Sequence, residues 1–235
     1  MFSQTAKWYD KIYLSMKHYD AEVEKLLAIL SEHRRSTGNR LLDVACGTGL
    51  HLAYLQEHFE VEGLDLNEEM LSIARQRNPR VVFHQADMTD FNLNRTFDIV
   101  TCLFSAIGYV KTLDNLTRAV QCMAHHLSPG GMLMIEPWFT PEEWRAPSVH
   151  MQIVDEPDLK IARVSTSLVE GRLSSFDLHY LVGTPEGTEH YVEHHESGLF
   201  TMEEMMGALT DYGFEVTYDA EGLMGRGLYI GQRSS

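Results

Sequence analysis

A chain of 235 residues, 44% of them apolar, is long enough to enclose one sizeable α/β core with a modest elaboration. Its 34 acidic and 19 basic residues leave a formal charge of −15, a field that repels phosphate backbones and argues against DNA or RNA as substrate. No stretch approaches a membrane span, Met1-Phe2-Ser3-Gln4 has no charged-then-apolar leader pattern, and Cys46, Cys102 and Cys122 have no paired spacing; a cytoplasmic chain without a membrane partner is expected.

Trp8, Tyr9, Ile12 and Tyr13, over roughly residues 5–14, have the spacing of a short helix with an aromatic face, which suits docking on the domain and closing over a substrate equally. A loop around Leu14 to Tyr19 follows, and then Asp20 suits the cap of a helix that buries Val23, Leu26, Leu27 and Leu30. Beyond the polar connector His33 to Asn39, the pattern alternates: strand 40–45, helix 49–58, strand 60–65, helix 68–76 capped by Asn67, strands 80–85 and 97–103, helix 113–127, strand 132–138. Leu116, Val120, Met123 and Leu127 form the stripe of the last helix. Short apolar strands alternating with amphipathic helices imply a Rossmann-like α/β fold, a mainly parallel sheet with helices on both faces. Past residue 139 the segments 149–154, 159–169, 172–182 and 188–199 alternate as strands, divided by turn residues, so an antiparallel β insertion is expected over 145–200. Thr201 to Glu204 fits a capping box for a final helix, and strands near 215–218 and 227–231 close a single domain spanning 1–235.

Ligands of such sheets sit at the carboxyl ends of the strands, which selects the tips for inspection. The first is Leu41-Leu42-Asp43-Val44-Ala45-Cys46-Gly47-Thr48-Gly49, a strand, a glycine turn and the start of a helix. A dinucleotide loop needs a third glycine where Leu52 stands, so a nicotinamide oxidoreductase is disfavoured. Asp43 can accept from an ammonium or hydroxyl group, and Gly47 and Gly49 let backbone bear on an amino-acid moiety. The loop resembles that of class I S-adenosylmethionine methyltransferases. Asp65 ends the next strand, where an acid accepts from ribose hydroxyls, and Asp87 with Met88 suits the amine and face of adenine. Leu103 and Phe104 supply an apolar wall beside adenine and the sulfonium, while Tyr109 fits both an acceptor contact and ordinary packing. Trp138, after Glu136-Pro137, can shape the acceptor pocket.

Arg163 and Arg172 in the insertion and Arg226 before the last strand are candidates to hold an anionic substrate, each equally suited to a surface ion pair. Cys46 reads as packing in the glycine loop. His190, His194 and His195 read as surface or interface residues, and no metal site is expected: His190 and His194, four apart on one strand, stand about 13 Å apart.

Together the glycine loop, Gly63-Leu64-Asp65-Leu66 with Glu69-Met70-Leu71, the run His84 to Phe91, Glu136-Pro137-Trp138, Ala162-Arg163-Val164-Ser165 and Gly225-Arg226-Gly227-Leu228 resemble the dTDP-amino-sugar N,N-dimethyltransferases over nearly the whole chain. The resemblance implies S-adenosylmethionine as cofactor, with Ala45, Asp65, Leu66, Met70, Asp87, Met88 and Leu103 lining its site. It implies that Tyr9 and Tyr13 close over cofactor and substrate, and that Tyr109 stands beside the sugar amine. Arg163, Ser165, His179 and Arg226 would contact the nucleotide sugar, and the insertion would build a homodimer. The chain departs from the family pattern at Phe139, where a second Trp is expected, and over Pro147 to Leu159. Methyl transfer needs an aligned neutral amine and exclusion of water more than a strong base, so Tyr13 and Tyr109 are the expected catalytic contacts. Two rivals keep the cofactor: a small-molecule N- or O-methyltransferase with a non-nucleotide acceptor, and a non-catalytic S-adenosylmethionine-binding interaction protein.

Overall fold

The computed structural model of the chain describes residues 5–234; the terminal residues Met1-Phe2-Ser3-Gln4 lie outside that range. Two helices lead, α1 (Ala6–Tyr13) and α2 (Tyr19–His33), followed by β1 (Arg40–Val44), α3 (Leu50–Leu55), β2 (Glu60–Asp65), α4 (Glu68–Arg77), β3 (Val82–Gln85) and β4 (Phe97–Cys102). A 3-10 turn (Ala106–Val110), α5 (Leu113–His125) and β5 (Leu127–Ile135) come next. Then β6 (Ser148–Glu156), β7 (Leu159–Glu170), β8 (Leu173–Thr184) and β9 (Gly187–Gly198) precede α6 (Met202–Thr210), β10 (Phe214–Asp219) and β11 (Leu228–Arg233).

Seven strands form one sheet in the order β10-β11-β5-β4-β1-β2-β3, with β1 to β5 mutually parallel and β11 antiparallel to both its neighbours, β5 and β10. Alternation along each strand sorts two cores. Leu42, Val44, Val100, Cys102, Leu133 and Ile135 pack toward α5 and α6, whereas Leu41, Ile99, Met132 and Met134 pack toward α2 and α3. Strand order reverses between β1 and β4, which opens a crevice at their carboxyl ends.

The second sheet, β6-β7-β8-β9, is a four-stranded antiparallel meander between β5 and α6. Its register sorts the side chains into rows across the strands. Gln152, Arg163, Tyr180 and Tyr191 face inward in one row, and Ser148, Ser167, Phe176 and His195 in another. Met151, Val164, His179 and Val192 form a row on the outer face. Trp8 and Ile12 of α1 pack with Ile161, Leu178 and Tyr180 of the inner face, so the leading helix is held between the two sheets.

Several local expectations need correction. Asp20 does not cap α2: the helix begins at Tyr19, and its cap position is His18, without a side-chain hydrogen bond. Leu127 starts β5 instead of ending α5, because α5 stops at His125 and β5 begins earlier than the expected residue 132. Arg172 lies in the β7–β8 turn, where it pairs with Glu204 and donates to Leu199 O, away from the crevice. Asn67 and Thr201 do cap their helices as expected, accepting from Met70 N at 3.1 Å and Glu204 N at 3.2 Å.

Candidate active site

After β1 the chain turns through three left-handed residues, Ala45 (φ 59°), Gly47 (φ 56°) and Gly49 (φ 70°). Gly47 opens the wall, since a Cβ there would meet nothing within 4 Å, and its N–H donates to Asp65 Oδ2 at 2.8 Å. Gly49 serves packing instead: a Cβ would lie 2.8 Å from Asn78 Nδ2 and 3.2 Å from Ala74. It does not line the crevice. Cys46 packs under Gly63, whose Cβ would stand 2.8 Å from its Sγ, and burial pushes its thiol pKa up, consistent with a packing role.

The crevice is a cavity of about 480 Å³ running from the tips of β1, β2 and β4 to the inner face of the meander. Asp43 accepts from Thr101 Oγ1 at 2.7 Å, and burial raises its pKa to about 6. Asp65 accepts from Gly47 N and, through Oδ1, from Asn67 N at 2.8 Å, yet burial still raises its pKa. A carboxylate has about four lone-pair sites, more than the backbone groups of Gly47, Asn67 and Leu66 fill on Asp65, which leaves room for a ribose hydroxyl. Asp87 holds Thr89 N and Oγ1 at 2.8 Å on Oδ1, with Met88 and Ala86 beside it on the wall. Leu66 and Met70 complete this end.

At the β4 tip, Phe104 (φ 52°) and Ser105 (φ 59°) are left-handed without being glycine, which costs about 1–3 kcal/mol each. Phe104 N donates to Glu136 Oε2 at 2.6 Å and Ser105 Oγ to Pro137 O at 2.6 Å, so the strained tip is tied to the next strand's end. Leu103 and Phe104 line the cavity. Over them, Tyr13 stands edge-on to Phe104 at 5.1 Å and against Tyr9 at 4.5 Å. Arg163 is buried; it donates to Tyr13 OH at 3.0 Å and to Gln152 Oε1 at 3.0 Å. Arg226 donates to Ser105 Oγ at 3.0 Å and lies 5.2 Å from the Trp138 ring. Tyr109, Trp138 and Ser165 complete the wall on the meander side.

Two histidine expectations fail, for one reason. Phe176, Leu178 and Tyr180 face inward on β8, so His179 faces outward, exposed, and stacks on His190 at 5.5 Å instead of lining the cavity. On β9 the same alternation exposes His194 and turns His195, expected at the surface, inward, where it is 2% exposed and 3.0 Å from Tyr109 OH. The period-two pattern carried both signals. Lys17 had no such signal, because it sits in the loop between the two leading helices. Its side chain is fully buried, 3.0 Å from Glu22 and 3.6 Å from the Phe104 ring centre, and burial lowers its pKa. His51 Nε2 donates to the same Glu22 at 2.9 Å.

A crevice at the strand-order reversal, floored by a glycine turn lacking the third dinucleotide glycine and flanked by acids on successive strand tips, has the layout of class I S-adenosylmethionine-dependent methyltransferases. Residues 41–131 match the family model described as a methyltransferase domain. A dTDP-3-amino-3,6-dideoxy-alpha-D-glucopyranose N,N-dimethyltransferase of Streptomyces fradiae is 40% identical over 231 residues, 97% of this chain and 90% of that protein. The crystal structure of Streptomyces venezuelae DesVI superposes with a TM-score of 0.93 at 38% identity, covering 100% of both chains. That of S-adenosylmethionine-bound CalS10, an amino pentose methyltransferase from Micromonospora echinaspora involved in calicheamicin biosynthesis, gives 0.87 at 36% identity, covering 100% of this chain and 98% of that one. The chain belongs to the family of dTDP-amino-sugar N,N-dimethyltransferases and is an S-adenosylmethionine-dependent enzyme.

The Asp43 carboxyl sets a pH dependence. A carboxyl raised to about 6 is protonated below that pH, so a cationic ligand must first expel a proton to bind beside it. Affinity for S-adenosylhomocysteine, measured by calorimetry, is expected to fall by up to about tenfold per pH unit below that point. Asp43→Asn should bind more weakly with a flat profile. An unchanged profile in wild type, or the same slope in the variant, would remove Asp43 from the ammonium contact.

Proposed function

We propose that the enzyme transfers methyl groups from S-adenosylmethionine to the amino group of a dTDP-linked amino sugar, converting it to the N,N-dimethylamine. The observation that carries this reading is the continuity of one cavity: its floor offers acids for a nucleoside, and its roof offers Arg163, Arg226 and Trp138 for a second, anionic ligand. At 40% identity over nearly all of both chains, the fradiae relative supports the same substrate class.

The floor fits the cofactor by its chemistry. Asp43 suits the ammonium of an amino-acid tail and the buried Lys17 its carboxylate; Asp65 suits the ribose, and Asp87 with Met88 the adenine. Bound S-adenosylmethionine supplies a methyl group already activated on a sulfonium. The chain's own part is to hold a neutral amine with its lone pair toward that methyl and to exclude water. Tyr13 and Tyr109 line the cavity between Phe104 and the meander, and we assign them to the amine. Tyr9 and Tyr13, on α1, roof the site. Ser165 lies on the same inner strand as Arg163 and suits the sugar or phosphates, whereas His179 has no part in this cavity.

We infer that residues 1–235 act as one methyltransferase domain in which 145–200 is both substrate roof and dimer surface. The outer face of the meander supports the second role, because Val149, Met151, Ile153 and Leu181 are each more than half exposed there, an apolar patch that a second copy would cover. No described helix is long and apolar enough to cross a membrane. Among the described residues no cluster of three or more metal-ligating side chains occurs. A cytoplasmic enzyme with a small-molecule acceptor and no nucleic-acid partner suits the free cysteines and the acidic surface.

Calorimetric titration with S-adenosylhomocysteine, then with dTDP and dTMP in its presence, tests the substrate class. Binding of the first and of dTDP, with dTMP much weaker, is expected. Binding of S-adenosylhomocysteine alone would move the acceptor to another chemical class. Sedimentation should give a dimer that Val164→Asp breaks to monomer, and a monomeric wild type would contradict the interface.

A further inference from the structure

Behind Tyr109 a polar chain runs along the inner face of the meander. Tyr109 OH stands 3.0 Å from His195 Nδ1. The buried imidazole stacks on Phe176 at 5.4 Å with 7° between the rings, and its Nε2 faces Glu193 Oε2 at 3.6 Å. Glu193 is buried as well, and accepts from Thr5 Oγ1 at 2.7 Å and Thr5 N at 3.3 Å. The other titratable groups facing this chain are Tyr9 and Tyr13 of α1, Asp65 of β2, Tyr180 of β8 and, on the far side of β9, His194.

The proton count along the chain fixes its direction. A neutral imidazole has one N–H, and a phenol has one O–H. With a carboxylate on its Nε2 side, His195 carries its proton there and leaves Nδ1 as an acceptor. Burial lowers the His195 pKa, which keeps the ring neutral near neutrality. Tyr109 must then donate to Nδ1, so its oxygen lone pairs are what remain for the cavity. Tyr13 has the opposite role, since its oxygen accepts from Arg163.

We propose that Glu193 and His195 are positioning residues that fix the hydrogen-bond polarity of Tyr109, so that it accepts an N–H from the acceptor amine and leaves the nitrogen lone pair for the methyl group. The proposal rests on the reading of this cavity as an amine methyltransferase site with Tyr109 beside the amine. A Tyr109 that donated instead would occupy the lone pair needed for attack. Each transfer forms a C–N bond and breaks the C–S bond, and the ammonium product loses a proton to solvent before it can react again. Primary and secondary amines have an N–H to give; a neutral tertiary amine has none. The polarity of Tyr109 therefore ends the sequence at two methyl groups.

His195→Phe keeps an aromatic ring to stack on Phe176 but removes the acceptor, and His195→Asn returns an oxygen near the position of Nδ1. With dTDP-3-amino-3,6-dideoxyglucose as acceptor, the Phe variant is expected to lose about tenfold or more in kcat with KM for S-adenosylmethionine unchanged. The Asn variant should recover most of that loss. The imidazole nitrogen resonances of wild-type His195 should show a neutral ring with Nδ1 unprotonated. A ring protonated on Nδ1, a Phe variant as fast as wild type, or an Asn variant no better than Phe would overturn the proposal. Should wild type methylate the sugar while any of these holds, only the polarity device fails. Should wild type methylate no amino sugar, the substrate reading and the proposal fall together.

Discussion

The site depends on one buried carboxylate. Asp65 joins three pieces of chain that sequence separates: the glycine turn through Gly47 N, its own strand β2, and the start of α4 through Asn67 N. Burial opposes its charge, and the backbone N–H groups of Asn67, Gly47 and Leu66 offset part of that cost, as hydrogen bonds to a carboxylate do. The left-handed backbone of Ala45 and Gly47 is thereby held open over the cavity floor. Loss of that carboxylate would free the turn at the cavity floor and the start of α4 together.

A second constraint works from above. The left-handed Phe104 and Ser105 are costly on their own, and Glu136 and Pro137 keep them so through two short hydrogen bonds. The same tip receives Tyr13 edge-on, Lys17 over its ring face and Arg226 through Ser105, so roof and floor meet at these two residues. The meander contributes by register. Because one face of each strand packs on α1 and the cavity, every second residue is committed inward, and the opposite row of Met151, Val164 and Val192 is left to solvent or to another copy.

Much of this was legible in the chain itself. The apolar strands, the glycine turn and the acids at strand tips are local patterns, and they led to Asp43, Asp65, Asp87 and the walls at Leu103 and Phe104. The inner or outer fate of His179 and His195 was also written in the alternation of β8 and β9, but resemblance placed His179 inside and His195 was grouped with His190 and His194 at the surface, and the pleat overrules both. Gly49 was read as a ligand contact because a glycine in a turn looks the same whether it makes room for a ligand or for Ala74. Lys17 was not legible at all. Nothing local marks a loop lysine for burial; its environment is made by Glu22 on the next helix and by Phe104, which no periodicity connects to it.

If one cavity brings a methyl donor to the nitrogen of a nucleotide-linked amino sugar, the mass of dTDP-3-amino-3,6-dideoxyglucose after incubation with the enzyme and S-adenosylmethionine shows it most directly. The expected product is heavier by two methyl groups, both on nitrogen, with the singly methylated sugar as an intermediate and nothing heavier. An unchanged sugar in the presence of an enzyme that binds S-adenosylhomocysteine, or methyl groups found on oxygen, would contradict it.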